Sequence, residues 1–318
     1  MSFLVAISRS AYPDTALDNF AASPSFAMGD AQSMMWMSQL AYETNTPDKV
    51  DSILKAWQLE RKGLASNDPV TSLPPHSACF VAAAGRNATI IAFSGTDPLK
   101  IEDWITDFTA ARSPDGLHSG FKAALDSVWP QIVPIIQQRP APAQQLFFTG
   151  HSLGGALAII AAERAMREFG ATATAVYTFG GPRTGGQDFF NSYTTGLGTG
   201  LGTGLGTRTF RLVHGNDVVP TVPPPLLNTF LHVGQMIQCP TDGTFADPPT
   251  MSAPNGNDPG FVDGLIQAGL ADLRAFAAFR FLRSIGPRPL DMLAGILPRI
   301  VRDHVPAIYF RALGIPLR

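Results

Sequence analysis

The sequence predicts an α/β fold in which a mainly parallel central sheet carries helices on both faces. Strand-like and helix-like segments alternate through the 318 residues, and parallel strands require helical crossovers of this kind. A β-prone run at 145–149 also leads directly into the pentapeptide at 150–154 and then into an Ala-rich helix. The length suits one large domain with insertions or two domains, and we favour a single domain over residues 1–318.

Hydrophobic periodicity predicts the individual elements. Apolar residues at helical spacing predict helices, and short apolar runs between turn signals predict strands. The turn Gly85-Arg86-Asn87 separates the first two predicted strands. The expected helices are 27–42, 48–61, 119–138 and 155–169, and the expected strands are 79–84, 88–94, 175–179, 209–213 and 230–237.

Two segments interrupt this alternation. Residues 196–207 repeat Gly-Leu-Gly-Thr three times, which predicts a flexible surface loop. Residues 242–259 are rich in Pro, Asp, Asn and Gly and predict a long loop, and residues 261–283 predict a helix whose apolar face is interrupted by charges. We interpret residues 242–286 as an inserted loop and helix that either packs on the body of the protein or faces lipid or a partner.

Charge and composition exclude several classes of function. The 23 basic and 25 acidic residues give a net charge of −2 without a basic stripe, so we expect no nucleic-acid partner. No dinucleotide-binding, P-loop or H-E-x-x-H motif occurs, and we expect neither a cofactor nor a metal. Cys79 and Cys239 lie far apart in sequence, which leaves two free thiols or one disulfide as the alternatives.

The N-terminus predicts no secretory signal of the Sec type. The apolar run Phe3–Ile7 is short, and neither a basic residue before it nor a small-residue cleavage site after it is present. No run reaches the roughly 18 apolar residues that a membrane span requires. We therefore expect no transmembrane segment, and the compartment stays open between the cytoplasm and secretion by a non-Sec route.

The pattern G-x-S-x-G at Gly150–Gly154 predicts that Ser152 is a nucleophile. A serine hydroxyl is weakly nucleophilic, so such enzymes hold it on a strained strand-to-helix turn, where a base reaches it and the helix N-terminus faces the developing oxyanion. The flanking glycines are required because a Cβ at either place would collide with the neighbouring strand or helix. The N–H of Leu153 is expected to bind the oxyanion, together with an N–H from the strand-end loop at 93–97.

A serine hydrolase of this architecture takes its acid and then its histidine from the chain after the nucleophile. Asp217 follows the predicted strand 209–213 and is the expected acid, although an Asx-turn would also account for it. Two histidines follow Asp217. We expect His304, near the C-terminus, to be the base, and His232, in an apparent strand, is the alternative.

These motifs together resemble the class 3 lipases, the fungal-type triacylglycerol lipase family of the α/β-hydrolase superfamily. The resemblance runs over about 28–238, with the histidine added near the C-terminus. It rests on five motifs in the family's order, namely Thr89–Asp107, His118-Ser-Gly-Phe121, Gly150–Ala158, Thr178–Arg183, and Asn216–Pro220 followed by Pro223 and Pro224. The resemblance implies an α/β-hydrolase fold with a lid segment.

By this resemblance, Thr96 would supply the second oxyanion N–H, and residues at about 98–108 would form the lid. Asp107 would brace the oxyanion residue, or alternatively serve as a charge at a helix N-terminus. The sequence departs from the family at Ser94, where many members carry arginine. The gap between acid and histidine is also longer than in compact members, which agrees with an insertion at 242–286.

The implied function is a serine carboxylester hydrolase that acts on acylglycerols or related hydrophobic esters. The reaction would pass through an acyl-enzyme on Ser152, and the lid and the C-terminal helix would make transient contact with a lipid interface. A short-chain esterase and a phospholipase are the alternatives within this class. A hydrolase-like scaffold that binds a membrane or a protein is the alternative outside it, and the intact Ser152, Asp217 and His304 argue against a scaffold.

Overall fold

An eight-stranded sheet, in which the strands lie side by side in chain order, organises the protein. The computed structural model describes residues 6–66, 78–95, 112–139, 144–196, 204–223, 230–252 and 302–316. The strands are β1 (Glu60–Ala65), β2 (Phe80–Gly85), β3 (Ala88–Phe93), β4 (Gln145–His151), β5 (Ala175–Phe179), β6 (Thr209–His214), β7 (Gln235–Cys239) and β8 (Met251–Ser252).

The sheet is mainly parallel, as the sequence predicts. Strands β3 to β7 pair in parallel, whereas β1, β2 and β3 pair antiparallel at one edge and β8 pairs antiparallel at the other. Arg86 and Asn87 connect β2 to β3, and both have a positive φ, which matches the twist of a two-residue hairpin. The antiparallel edges therefore need no helical crossover, and the parallel centre does.

Helices cover both faces of the sheet. They are α1 (Met28–Leu40), α2 (Pro47–Ala56), α3 (Ser119–Gln137), α4 (Leu153–Phe169), α5 (Gln187–Thr195) and α6 (Pro306–Ala312). Residues of α1, α2 and α6 belong to the hydrophobic core on one face, and residues of α3, α4 and α5 belong to the core on the other. Phe147 and Phe148 of β4 are fully buried in opposite cores, because successive side chains of a strand alternate between faces.

Two predicted elements have different bounds in the structure. The helix expected at 48–61 ends at Ala56, because Gln58 adopts a positive φ and the N–H of Leu59 donates to the carbonyl of Leu54. The residues that follow form the edge strand β1. The strand expected at 230–237 begins only at Gln235, preceded by a single bridge from Leu231 to Gly185.

Several predicted features lie outside the described residues. They are the expected lid at 98–108, most of the Gly-Leu-Gly-Thr segment at 196–207, and the expected inserted helix at 261–283. The single-domain assignment stays a prediction. Within the ranges that the structure describes, no helix is both long enough and apolar enough to cross a bilayer.

The start of α4 packs unusually close to the sheet because of its glycines. A Cβ added to Gly154 would lie against the carbonyl group of Phe93, and one added to Gly150 would meet the carbonyl group of Gly154. Both obstacles are main-chain atoms, which move only if a strand or the helix moves. A Cβ on nearby Gly181 would instead meet its nearest atom, the Cα of Gly155, at 3.5 Å, which is ordinary van der Waals contact.

We expect Gly154→Ala to lower the free energy of unfolding by about 1–3 kcal/mol or more, since the extra methyl group forces α4 away from β3. Gly181→Ala, the matched control in the same region, should change it by less than about 0.5 kcal/mol. Urea unfolding of the two variants beside the wild type measures both values. Equal stability of the two variants would show that this close approach does not limit the fold.

Candidate active site

Ser152 lies on the sharp turn between β4 and α4. Its backbone has φ 59° and ψ −132°, a conformation that residues other than glycine rarely adopt. Such strain amounts to about 1–3 kcal/mol and persists only where surrounding structure holds it. One restraint is the N–H of Ser152, which donates to the carbonyl of Phe179 at 2.9 Å. The turn raises the serine side chain above the end of β4.

Leu153 begins helix α4, directly after the serine. The first N–H groups of a helix have no carbonyl partner within it, and the helix dipole adds a partial positive charge at this end. The N–H of Leu153 is therefore suited to bind a negative oxygen on a substrate attached to Ser152. Thr96, the other expected oxyanion residue, lies outside the described residues, as does Asp107.

Asp217 lies on the loop that follows β6. The loop turns at Gly215, which has φ 52°, and the Oδ1 atom of Asp217 accepts a hydrogen bond from the N–H of Val219 at 2.9 Å. The Asx-turn interpretation thus describes the local geometry of this aspartate. It does not exclude a second role, because the same carboxylate also contacts a distant histidine.

That histidine is His304, just before α6. Its Nδ1 lies 2.9 Å from each carboxylate oxygen of Asp217. His304 is 1% exposed and Asp217 is 4% exposed, so bulk water does not screen the pair. Since a carboxylate only accepts hydrogen bonds, the Nδ1 atom carries a proton and the Nε2 atom of a neutral ring is left with its lone pair.

Gly180, at the end of β5, makes room for this pair. Its φ is 60°, and an added Cβ would lie 2.5 Å from Oδ2 of Asp217 and 3.0 Å from Nδ1 of His304. Any side chain at position 180 would push Asp217 and His304 apart. Asp303 provides a further tie between the two loops, because its buried carboxylate accepts the N–H of Asn216 at 3.0 Å.

Tyr309, on α6, is a site residue that sequence reasoning did not find. Its hydroxyl donates to Oδ2 of Asp217 at 2.6 Å and accepts the N–H of His214 at 3.2 Å. Burial, followed by the negative charge of Asp217, raises the pKa of Tyr309 well above its ordinary value, so the hydroxyl keeps its proton and remains a donor. The tyrosine lies five residues after His304 on a short apolar helix, where nothing in the pattern distinguishes it from core packing.

Several buried polar atoms in this region have no hydrogen-bond partner among the described residues, and both ring nitrogens of His214, beside Tyr309, are among them. Among the residues that the structure describes, Oγ of Ser152 and Nε2 of His304 are both buried and unbonded. Buried polar groups are nearly always satisfied, and the exceptions are frequent at sites of chemistry. A hydroxyl and an imidazole lone pair are also the two groups between which a proton passes when serine becomes a nucleophile.

Two further buried histidines, His232 and His118, make local hydrogen bonds. His232, the alternative base, is buried with Nε2 2.7 Å from the carbonyl oxygen of Pro220, and its pKa is lowered by burial and then by the nearby Arg211 and Arg183. His118 caps α3 through Nδ1, which accepts the N–H of Phe121 at 3.4 Å. Asp217 hydrogen-bonds to neither of them in the described part of the chain, whereas it contacts His304 twice.

The cysteines and the acidic residues form no metal centre in the described ranges. Cys79 is half-buried and Cys239 is buried, and both are free thiols. No group of three or more His, Cys, Asp or Glu side chains in these ranges is arranged to hold a metal ion. The described residues instead provide an imidazole–carboxylate pair and a buried serine hydroxyl, which are the kinds of group used in acyl transfer.

Comparisons with known proteins find similarity to lipases. The family model described as "Lipase (class 3)" matches residues 90–227. A lipase of Rhizopus niveus is 31% identical over 175 residues, which is 52% of this chain and 42% of the relative. A secreted mono- and diacylglycerol lipase of Fusarium solani is 31% identical over 147 residues, 44% of this chain and 40% of the relative. The chain thus matches less than half the length of these relatives.

Solved structures show the same fold. A Rhizomucor miehei lipase propeptide complex superposes with a TM-score of 0.55 at 23% identity, covering 73% of this chain and 76% of that one. A lipase from Rhizopus microsporus var. chinensis superposes with a TM-score of 0.57 at 19% identity, covering 76% and 88%. The architecture is therefore that of an α/β-hydrolase, and residues 90–227, less than half of the chain, are similar to the class 3, fungal-type lipases.

Proposed function

We propose that this protein is a serine carboxylester hydrolase that cleaves acylglycerols through an acyl-enzyme on Ser152. The observation that carries the proposal is that Oγ of Ser152 and Nε2 of His304 are buried without a hydrogen-bond partner while Asp217 holds Nδ1 on the opposite side of the imidazole. A scaffold that only binds would have no need to leave both atoms unsatisfied, because each such atom costs about 1–3 kcal/mol.

In the first half of the reaction, Nε2 of His304 takes the proton of Ser152 as Oγ attacks the ester carbonyl carbon. The imidazolium that forms is stabilised by Asp217, which already holds Nδ1. His304 then passes the proton to the leaving alkoxide, and the acyl group stays on Ser152. In the second half, His304 takes a proton from a water molecule as the water oxygen attacks the acyl carbon. His304 then returns the proton to Oγ of Ser152, and the fatty acid leaves.

The negative oxygen of each tetrahedral intermediate needs two donors. The N–H of Leu153 at the start of α4 is one, and we propose the N–H of Thr96 as the other. Gly95 supports this choice of loop, because an added Cβ there would lie 2.7 Å from Cβ of Ser152. The backbone that leads to Thr96 therefore passes directly beside the nucleophile.

The substrate class follows from the relatives. The Fusarium solani relative is by name a secreted mono- and diacylglycerol lipase, which supports acylglycerols as the esters to test first and is compatible with a secreted route for this chain. We propose that the lid at 98–108 and the inserted helix contact the lipid interface. Both segments lie outside the described residues, so this part of the proposal rests on the resemblance alone.

We expect Ser152→Ala to lower kcat for ester hydrolysis by at least about 1000-fold, since no other group can form the acyl-enzyme. The measurement uses p-nitrophenyl esters from C2 to C16, emulsified triacylglycerol and a phosphatidylcholine emulsion, with wild type and variant in parallel. Serine-dependent release from long chains and from triacylglycerol is the expected result.

The other outcomes of that series are informative in different ways. Activity restricted to the C2 to C6 esters would identify a short-chain esterase, and fatty acid release from phosphatidylcholine alone would identify a phospholipase. Undiminished activity of Ser152→Ala would refute the nucleophile. A folded wild type that is inactive on all substrates would favour the non-catalytic scaffold.

The choice of base is tested by a pair of conservative variants. We expect His304→Gln to lower kcat by at least about 1000-fold, because glutamine cannot take up the proton. His232→Gln should keep most of the activity, because the glutamine amide can still donate to the carbonyl of Pro220. The reverse pattern, with His304→Gln active and His232→Gln inactive, would contradict the assignment.

Tyr309→Phe is expected to lower kcat by about 10-fold or more with little change in KM, because a hydrogen bond to a charged group contributes about 1.5–3 kcal/mol and this one fixes the orientation of Asp217. Tyr193→Phe is the matched control. Its buried hydroxyl bonds to Oγ1 of Thr209 at 2.7 Å in the opposite core, so it should affect stability and leave kcat unchanged. Equal kcat values for the two variants would remove Tyr309 from the mechanism.

A further inference from the structure

His151, the variable residue within G-x-S-x-G, directly precedes the nucleophile and packs its ring against that of His304. It is 1% exposed, and its ring centroid is 4.7 Å from that of His304, with 34° between the planes. Its Nε2 lies 2.7 Å from the main-chain carbonyl oxygen of His304, and its Nδ1 lies 2.9 Å from the hydroxyl of Tyr42. The mechanism described above gives this buried histidine no task.

The two contacts determine where the proton of the His151 ring resides. A carbonyl oxygen can only accept, so Nε2 carries the hydrogen and donates it to His304. In a neutral ring Nδ1 then has the lone pair, and the hydroxyl of Tyr42 donates to it. The carbonyl of His304 therefore fixes the tautomer, and Tyr42 satisfies the lone pair that this tautomer leaves on Nδ1.

The charge state of His151 agrees with this hydrogen-bond pattern. Burial, followed by the proximity of His304, lowers the pKa of His151 well below its ordinary value, so the ring stays neutral. A charged ring 4.7 Å from His304 would also oppose formation of the imidazolium in the transition state. A neutral ring supplies a donor without this repulsion.

The same network reaches the loop that precedes Thr96. A Cβ added to Gly95 would lie 2.5 Å from the hydroxyl of Tyr42 and 2.7 Å from the carbonyl oxygen of His151. Tyr42 and His151 thus lie in one small buried volume, next to Gly95 on the loop that leads to Thr96 and next to the main chain of His304. The residues come from four distant parts of the chain, around positions 42, 95, 151 and 304, and no local sequence signal joins them.

We propose that His151 is a positioning residue, which holds the backbone of His304 in place for proton transfer from Ser152, and that Tyr42 supports the tautomer of His151 in which it does so. This hydrogen bond acts on the main chain of the base itself, and a displacement of about 1 Å at a reacting group lowers rates by about 100-fold. This inference rests on the proposed hydrolase function for its kinetic consequences, and on the two hydrogen bonds for its structural basis.

The first experiment compares two replacements of His151 that differ in the donor. His151→Gln places an amide N–H near the position of Nε2, whereas His151→Met has similar length without any N–H. We expect His151→Met to lower kcat by about 100-fold with KM within about threefold of wild type, and His151→Gln to restore kcat to within about tenfold of wild type. Thermal unfolding of both variants shows whether each is folded at the assay temperature.

The proposal is overturned if folded His151→Met retains the wild-type kcat, or if His151→Gln is as slow as His151→Met. If His151 had only a structural role, its replacement would lower the stability of the protein, and glutamine would not selectively restore kcat. Tyr42→Phe provides a variant that keeps His151 in place. It should lower kcat by about 3- to 10-fold, because a lost neutral hydrogen bond corresponds to about 0.5–1.5 kcal/mol.

A second experiment does not depend on activity. In wild-type protein with ¹⁵N-labelled histidine rings, NMR should show a protonated Nε2 and an unprotonated Nδ1 for the ring whose signals are absent in His151→Gln. His232, whose Nε2 faces the carbonyl of Pro220, should give the same pattern and keep it in the variant. A proton on Nδ1 of the His151 ring would overturn the proposal. If this tautomer is found while the wild type hydrolyses no ester, the proposed function fails and the hydrogen-bond network stands.

Discussion

The close approach of α4 to the sheet is the constraint on which the rest of the site depends. Gly150 and Gly154 have no Cβ, so the helix can begin within contact of the main chain of β3 and β4. Only at that distance does the chain have to pass through the strained conformation at Ser152. The strain is local, but the packing that maintains it involves both hydrophobic cores, since β4 contributes a buried phenylalanine to each. Packing of the whole sheet therefore holds Ser152 in its strained conformation.

The acid and the base depend on a different physical effect, which is the interaction of buried polar groups with one another. Asp217 accepts hydrogen bonds from Val219 and Tyr309 and lies against Nδ1 of His304. In a site with little water these contacts are stronger than they would be at the surface, and an unpaired carboxylate there would be strongly destabilising. The same contacts that stabilise the charge also orient the imidazole. The contacts of Asp217 that the fold needs for stability are therefore also the contacts that the reaction needs.

The sequence predicted the elements with strong local signals and missed those that depend on distant partners. The parallel centre of the sheet and the turn at Ser152 follow from periodicity and from glycine spacing, and the structure has them. The end of α2 at Ala56 was missed because Gln58, which is not glycine, adopts the left-handed conformation that ends the helix. Tyr309 and His151 were missed as parts of the site for a related reason. Each resembles an ordinary buried side chain until the loop it contacts is known.

The sequence by itself determined the class of fold, the family resemblance and the residue types needed for acyl transfer, because these depend on short motifs and on their order along the chain. Only the tertiary structure decided which side chains contact one another across large separations. Asp217 and His304 are 87 positions apart, and His151 and His304 are 153 apart. Such contacts are formed by the packing of the two cores, to which every element of the sheet contributes. No local pattern encodes them, since the hydrogen-bonding capacity of a histidine is the same wherever it lies.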